Sequence, residues 1–346
     1  MLITEFKMKK KLLQEDVDRI LELIDDLIAV PREKALAIID EVRKYISEHD
    51  FSENHTIEIK ILLGLARYYI NDRDTKRAND VLQGALNLAE KNNDEYEISH
   101  VKSIIAIIYS MRGDHQRAIN IWEEMLETMD SEDSRWLAII NNLIVAHGFS
   151  KQFARAIDLS YELLEAMDKY GAEPNERISA LINLANSYTP LKNNAKALEV
   201  QREAYEIARA SENMPYMSYI LGNMARTYSD MKDYPNAYDN ALQALAISRE
   251  YFGKSHTADT LCALASICVK MERYEEAQRL FDEALPNLDV ENDRVGYVNA
   301  LISITTMYME QGDYEKAYPY LNDADEQSKL TDVMQHKLNV NRLFAM

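Results

Sequence analysis

Glycine and proline are scarce in these 346 residues, nine of one and seven of the other. No stretch is rich in Gly, Ser or Pro, so no flexible linker between separately folded parts is visible. Cysteine is nearly absent. Cys262 and Cys268 stand six apart on one expected helix, which puts them on different faces and makes a mutual disulfide geometrically poor. They read as small core residues in a reducing compartment. No apolar run approaches the length of a membrane span. Residues 1–11 carry lysines with no signal-type apolar stretch behind them. The cytoplasm is the expected location, with no membrane partner. Basic residues are outnumbered, 39 Lys and Arg against 58 Asp and Glu, for a net charge of −19. A polyanion repels phosphate backbones, which argues against nucleic acid as a direct partner. Val, Ile and Thr nowhere alternate with polar residues for long, so the expected fold is all helix.

What is present is a repeat. Alanine recurs at Ala78, Ala118, Ala156, Ala197, Ala237, Ala277 and Ala317, in steps of 40, 38, 41, 40, 40 and 40. Nine residues before each anchor stands Tyr69, Tyr109, His147, Tyr188, Tyr228, Cys268 or Tyr308. Thirteen before stands Leu65, Ile105, Leu143, Leu184, Met224, Leu264 or Ile304, followed by Ala66, Ala106, Ile144, Ala185, Ala225, Ala265 or Thr305. Four after it stands Leu82, Trp122, Ser160, Gln201, Ala241, Phe281 or Leu321. Small residues let two antiparallel helices approach closely, and the Leu and Tyr positions fill the space between them. Turns such as Arg112-Gly113-Asp114 and Gln311-Gly312-Asp313 are expected to end one helix and start the next. Each hairpin alone leaves an apolar face bare, and stacking covers it.

The pattern resembles the tetratricopeptide repeat, in which W-x2-L-G-x2-Y precedes A-x3-F. Its best copies run Leu301 to Tyr308 with Gly312 to Ala317, and Leu261 to Ala265 with Tyr274 to Ala277. The unit is close to 40 residues where the standard one is 34, a length similar to that of kinesin light chains and of the sensor arrays of bacterial regulators. The resemblance implies a right-handed superhelical solenoid of antiparallel helix hairpins. Seven repeats are expected over residues 58–328. Residues 1–57 are expected to form a helical cap, with a helix from Lys11 to Ala29 and another from Pro31 to about Glu48. Residues 329–346 read as the first helix of an unfinished eighth unit or as a closing cap, since Ala345 falls on the forty-residue grid of Ala225, Ala265 and Thr305.

Enzyme motifs are missing. There is no Gly-rich phosphate loop, no G-x-S-x-G, no H-E-x-x-H and no C-x-x-C. The seven histidines are scattered, and several occupy repeat positions. No catalytic, cofactor-binding or metal-binding residue is expected.

In proteins that this chain resembles, the first helix of each unit lines the concave face, which takes a protein or an extended peptide. The corresponding residues here are Asn142, Asn183 and Asn223, with Asn141, Asn186, Arg226 and Tyr219 beside them, and Arg67 in the first unit. An amide both donates and accepts, so a row of asparagines can hold the backbone of a peptide whatever its side chains. The competing structural reading is that these amides bridge neighbouring helices. The two-carboxylate clamp of chaperone-tail receptors is not matched, because Asp259 and Ala263 stand where it needs lysine and arginine. Three uses follow. One is a regulatory binding module. Another is the sensory half of a larger bacterial signalling protein, a diguanylate cyclase, histidine kinase or transcription regulator. The last is a passive scaffold that self-associates through its C-terminal helix.

Overall fold

The computed structural model describes residues 20–22, 24, 26–27, 30, 32–48, 55–72, 74–129, 134–288, 290, 294–330 and 334–344. Among them there is no strand, and the fold is all-α. The chain packs as two compact units, Met1–Tyr170 and Gly171–Met346.

The first unit holds α1 (Arg32–Glu48) and three antiparallel hairpins. These are α2 (His55–Asn71) with α3 (Thr75–Lys91), α4 (Glu95–Met111) with α5 (His115–Glu127), and α6 (Ser134–Phe149) with α7 (Phe153–Tyr170). The second unit holds four more: α8 (Pro174–Tyr188) with α9 (Asn194–Ala210), α10 (Met214–Asp230) with α11 (Tyr234–Tyr251), α12 (Lys254–Lys270) with α13 (Tyr274–Ala284), and α14 (Arg294–Glu310) with α15 (Tyr314–Lys329). A last helix, α16 (Met334–Phe344), packs on α14 and α15.

The alanine anchors do what their spacing predicts. All seven are buried, each where the second helix of a hairpin meets the first. The turns inside the hairpins share one geometry. The N–H of Asp74, Asp114, Gln152, Asn193, Asp233, Arg273 and Asp313 donates back to the carbonyl of Tyr69, Tyr109, His147, Tyr188, Tyr228, Cys268 and Tyr308, at 2.8–3.2 Å. This closes the end of the first helix by a six-to-one bond, which needs a left-handed residue just before the donor. Gly113 and Gly312 supply it freely, at φ 80° and 74°. Lys151, Lys192, Lys232 and Glu272 adopt it at φ between 58° and 62°. The carboxylates of Asp74, Asp114, Asp233 and Asp313 and the amide oxygen of Asn193 then accept the backbone N–H three residues on and cap the second helix.

First helices of successive hairpins lie side by side, α2–α4–α6 in one unit and α10–α12–α14–α16 in the other. In each unit they form an inner face. At the start of the first unit, Ile20, Ile24 and Leu27 are buried in the same cluster as α2. Gly64 of α2 permits this approach, because a Cβ there would stand 2.9 Å from Leu21 Cδ2. The rest of the helix expected over Lys11–Ala29, and Pro31, lie largely outside the described residues. In the second unit α16 buries Val340 against Leu301, Leu321 and Ala324 and leaves Leu338 and Phe344 exposed.

Cys262 and Cys268 are free and buried, as their repeat positions imply. Burial pushes the thiol of Cys262 up to about 12 and that of Cys268 up to about 11, with the neighbouring carboxylates Asp259 and Glu276 adding to the rise. His147 takes the place of the repeat tyrosine, its Nδ1 donating to Gln152 Oε1 at 2.8 Å. Among the described residues no helix is long and apolar enough to cross a membrane. No group of three or more His, Cys, Asp or Glu side chains among them could hold a metal ion.

Candidate functional site

On the first helices, buried Gly64 of α2 apart, the residues 14 and 11 before the anchor are neither core nor turn. They share a stripe with the residue seven before the anchor, because offsets of three and four fall on one side of a helix. In the second unit this stripe reads Asn183 and Asn186 on α8, Asn223, Arg226 and Asp230 on α10, Ala263, Ser266 and Lys270 on α12, and Ser303, Thr306 and Glu310 on α14.

A groove of about 530 Å³ opens on the inner face of that unit. Tyr219, Asn223 and Arg226 of α10 line one wall. His256, Asp259, Thr260, Ser266 and Lys270 of α12 line the other, and Asn299 of α14 closes one end. Ala241 and Ala244 of α11 form the floor. The floor explains why there is a groove at all. Ala241 stands four after its anchor, where four other repeats carry the buried Leu82, Trp122, Phe281 and Leu321 and two carry the buried Ser160 and Gln201. A methyl group in that place leaves the space between α10 and α12 unfilled.

The polar groups of the groove are oriented. Arg226 Nη2 donates to Asn223 Oδ1 at 3.1 Å. That bond turns the amide so that its Nδ2 protons remain for another acceptor. Lys270 Nζ donates to Ser229 Oγ at 2.7 Å. The hydroxyl of Ser266 donates to the Cys262 carbonyl at 2.8 Å and lies 3.0 Å from Ser303 Oγ. Tyr219 is half exposed on the rim. The ring of His256 packs 4.4 Å from that of Phe252. Helices α8 and α10 are tied by Asn213 Nδ2 donating to Asn175 Oδ1 at 2.8 Å and by the Ser179 and Tyr216 hydroxyls, also 2.8 Å apart.

Of the residues singled out from the sequence, Tyr219, Asn223 and Arg226 come together in this groove. Asn183 and Asn186 sit partly exposed on α8 and do not line it. Asn142 lines a different cavity, of about 490 Å³, on the inner face of the first unit. Its neighbours there are Ile107, Met111, Val145, Trp122 and Phe149, and the Phe149 ring stacks on His115 with centroids 5.0 Å apart. Asn141 adjoins it on α6, and Arg67 is exposed on α2 and lines neither cavity. Sequence reasoning missed Lys270, His256, Thr260 and Ser266. The offset of seven before the anchor would have found Lys270.

Hairpins of this geometry, stacked through alanine contacts with a six-to-one turn in each, define a helical-repeat protein. Residues 178–211 and 216–289 match models of the tetratricopeptide repeat family, and the chain carries tetratricopeptide repeats there. The mitochondrial tetratricopeptide repeat protein 19 of Mus musculus is 24% identical over 270 residues, covering 71% of this chain and 73% of its own. Two solved structures share the fold. One is the signal-transduction ATPase with numerous domains and a tetratricopeptide repeat sensor from Pyrococcus horikoshii, with a TM-score of 0.63 at 18% identity over 95% of this chain and 48% of that one. The other is NprR in complex with its cognate peptide NprX, with a TM-score of 0.55 at 17% identity over 97% of this chain and 99% of that one.

Proposed function

We propose that this chain is a non-catalytic binding module that holds an extended peptide, or an extended segment of a partner protein, on the inner face of its second unit. The observation that carries the reading is the α10–α12 groove, where Asn223 presents unspent amide donors between an aromatic rim at Tyr219 and a floor of alanines. An amide fixed by a neighbour recognises peptide carbonyls without regard to side chains. Asn183 and Asn186 extend the polar stripe onto the neighbouring helix. NprR, which shares this fold, is seen with a bound peptide, and the arrangement here has the chemistry to do the same. Regulation of an attached or separate domain is the role such binding would serve.

The test is a pull-down from a random peptide library with wild type, an Asn183/Asn223→Ala variant and an Asn142→Ala variant. Retention should fall about tenfold or more in the double variant and stay near wild type in the single one. Equal retention by all three would end the asparagine reading.

A second reading, the sensory part of a larger signalling protein, draws on the likeness to the Pyrococcus ATPase with its tetratricopeptide repeat sensor. The reading frame of the gene decides it: a stop codon directly after Met346 removes it.

A further inference from the structure

Two cations line the α10–α12 groove, and neither has a carboxylate partner among the described residues. Arg226 is held by the Asn223 amide oxygen and Lys270 by the Ser229 hydroxyl, both neutral acceptors. Several other cations of the same unit pair with carboxylates, Arg177 with Glu203, Lys196 with Glu199, Arg249 with Glu283, Arg273 with Glu276 and Lys316 with Asp313, while Arg202 and Arg279 bond the Tyr228 hydroxyl and the Glu275 carbonyl outside the groove. A cation fixed by a neutral group keeps its charge and its remaining N–H donors for a ligand. Arg226 retains donors beyond the one given to Asn223, and Lys270 has spent one of three. The other titratable groups on the groove wall are Tyr219, His256 and Asp259. Asp259 is the one carboxylate among these lining residues, against the two cations. Beyond the groove the chain is strongly acidic, but at physiological ionic strength exposed charges are screened beyond about 8 Å. A ligand seated in the groove therefore meets the two local cations first.

We propose that the groove selects a peptide with an internal Asp or Glu, whose side-chain carboxylate is received by Arg226 and Lys270. The inference rests on the peptide-binding reading and names its specificity. A side chain fits better than a chain terminus, because polar groups continue past the cations on both sides. Asn183 and Asn186 lie on the α8 side, and Asn299, Ser303 and Thr306 on the α14 side. A peptide held by them runs through the groove.

The experiment uses fluorescein-labelled, C-terminally amidated heptapeptide pools, random except for one central position fixed as Glu, Gln, Lys or phosphoserine. A parallel Gln pool carries a free C-terminal carboxylate. Retention on the immobilised full chain is measured at 150 mM salt, a condition of about physiological ionic strength. The Glu pool should be retained about tenfold over the amidated Gln and Lys pools, the size of one charge-assisted hydrogen bond. In Arg226→Gln/Lys270→Gln the Glu pool should fall to the level of the Gln pool on the same variant. Both side chains are exposed, and an unchanged circular-dichroism melt shows that the variant is folded. Equal Glu and Gln retention on wild type sinks the inference and leaves the peptide groove standing. So does a Glu preference that survives the double substitution, or a preference confined to phosphoserine or to the free C-terminus. Retention of no pool sinks both readings.

Discussion

The two units of this chain carry the same scaffold and different inner faces. At equivalent repeat positions the first unit presents Ile104, Ile107 and Met111 on α4, and Asn142, Val145 and Phe149 on α6. The second presents Asn183, Asn186, Asn223, Arg226, Asp230, Ala263, Ser266, Lys270, Ser303, Thr306 and Glu310. Across α4 and α6 the first face is apolar with a single amide, Phe149 standing 66% exposed on it, while α2 beside them carries Arg67 and Asn71. The other is a ladder of amides and hydroxyls with two cations and, at Asp230 and Glu310, two carboxylates. The residues that make the hairpins do not follow this divide. Ala78, Ala118 and Ala156 are as buried as Ala197, Ala237 and Ala277. The anchors lie on the second helix of each hairpin and the stripe on the first, so the stripe can change while the anchors are held. The cavities differ for the same reason. Four residues past the anchor, the buried Trp122 walls the first unit's cavity, whereas Ala241 floors the second unit's groove.

That contrast can be broken most forcefully at Trp122. The Trp122→Ala variant should lose about 3–5 kcal/mol of stability by urea unfolding, the cost of an emptied aromatic site. A loss under about 1 kcal/mol would mean that Trp122 does not fill the first unit as its burial implies. Next come the anchors, where the units should behave alike. Ala118→Leu and Ala277→Leu should each cost about 1–3 kcal/mol by overpacking, and a clear difference between them would show that the shared scaffold is not equivalent. Ala241→Leu sharpens the contrast from the other side. It adds the side chain that other repeats carry there, so it should reduce peptide retention about tenfold while stability moves by less than about 1 kcal/mol. Retained binding with a filled floor would separate recognition from the groove.

The smallest effect at neutral pH comes from the thiols, which only the second unit contains. Their folded values, about 12 and about 11, lie above the ordinary 9.0. The protonated form is therefore favoured by folding. Stability from these groups is fully present below pH 9 and is lost as the pH rises through 11 to 12, because the unfolded chain releases its protons first. Denaturant midpoints measured from pH 8 to 11 should fall more steeply above pH 9 in wild type than in a Cys262→Ala/Cys268→Ala variant. Parallel curves would contradict the burial of the thiols.

Much of the scaffold was legible in the sequence, because close helix contact admits few residues at Ala237 or Ala277 and they recur at a fixed step. The turns were half legible. Gly113 and Gly312 announce a left-handed residue, while Lys151, Lys192, Lys232 and Glu272 adopt the same conformation with nothing in their chemistry to announce it. The candidate site was legible as a stripe and not as a cavity. Periodicity placed Asn142, Asn183 and Asn223 at one repeat position. It did not say that Asn223 borders a groove floored by Ala241, or that Asn142 faces Met111 and Phe149. Those outcomes depend on the volumes of side chains from neighbouring helices, which no single helix pattern contains. Lys270 escaped notice because its neutral partner, Ser229, is 41 residues away.

The central claim is that ligand sits on the second unit's inner face. Photo-crosslinking tests it most directly. A benzoylphenylalanine is placed at Tyr219 in one variant and at Phe149 in another, two aromatic positions already exposed on the inner faces. Each is irradiated with the peptide pool that the wild-type chain retains. Cross-linked peptide should form at position 219 and be at background at position 149. Cross-linking at 149 with none at 219 would place recognition on the apolar face and contradict the account.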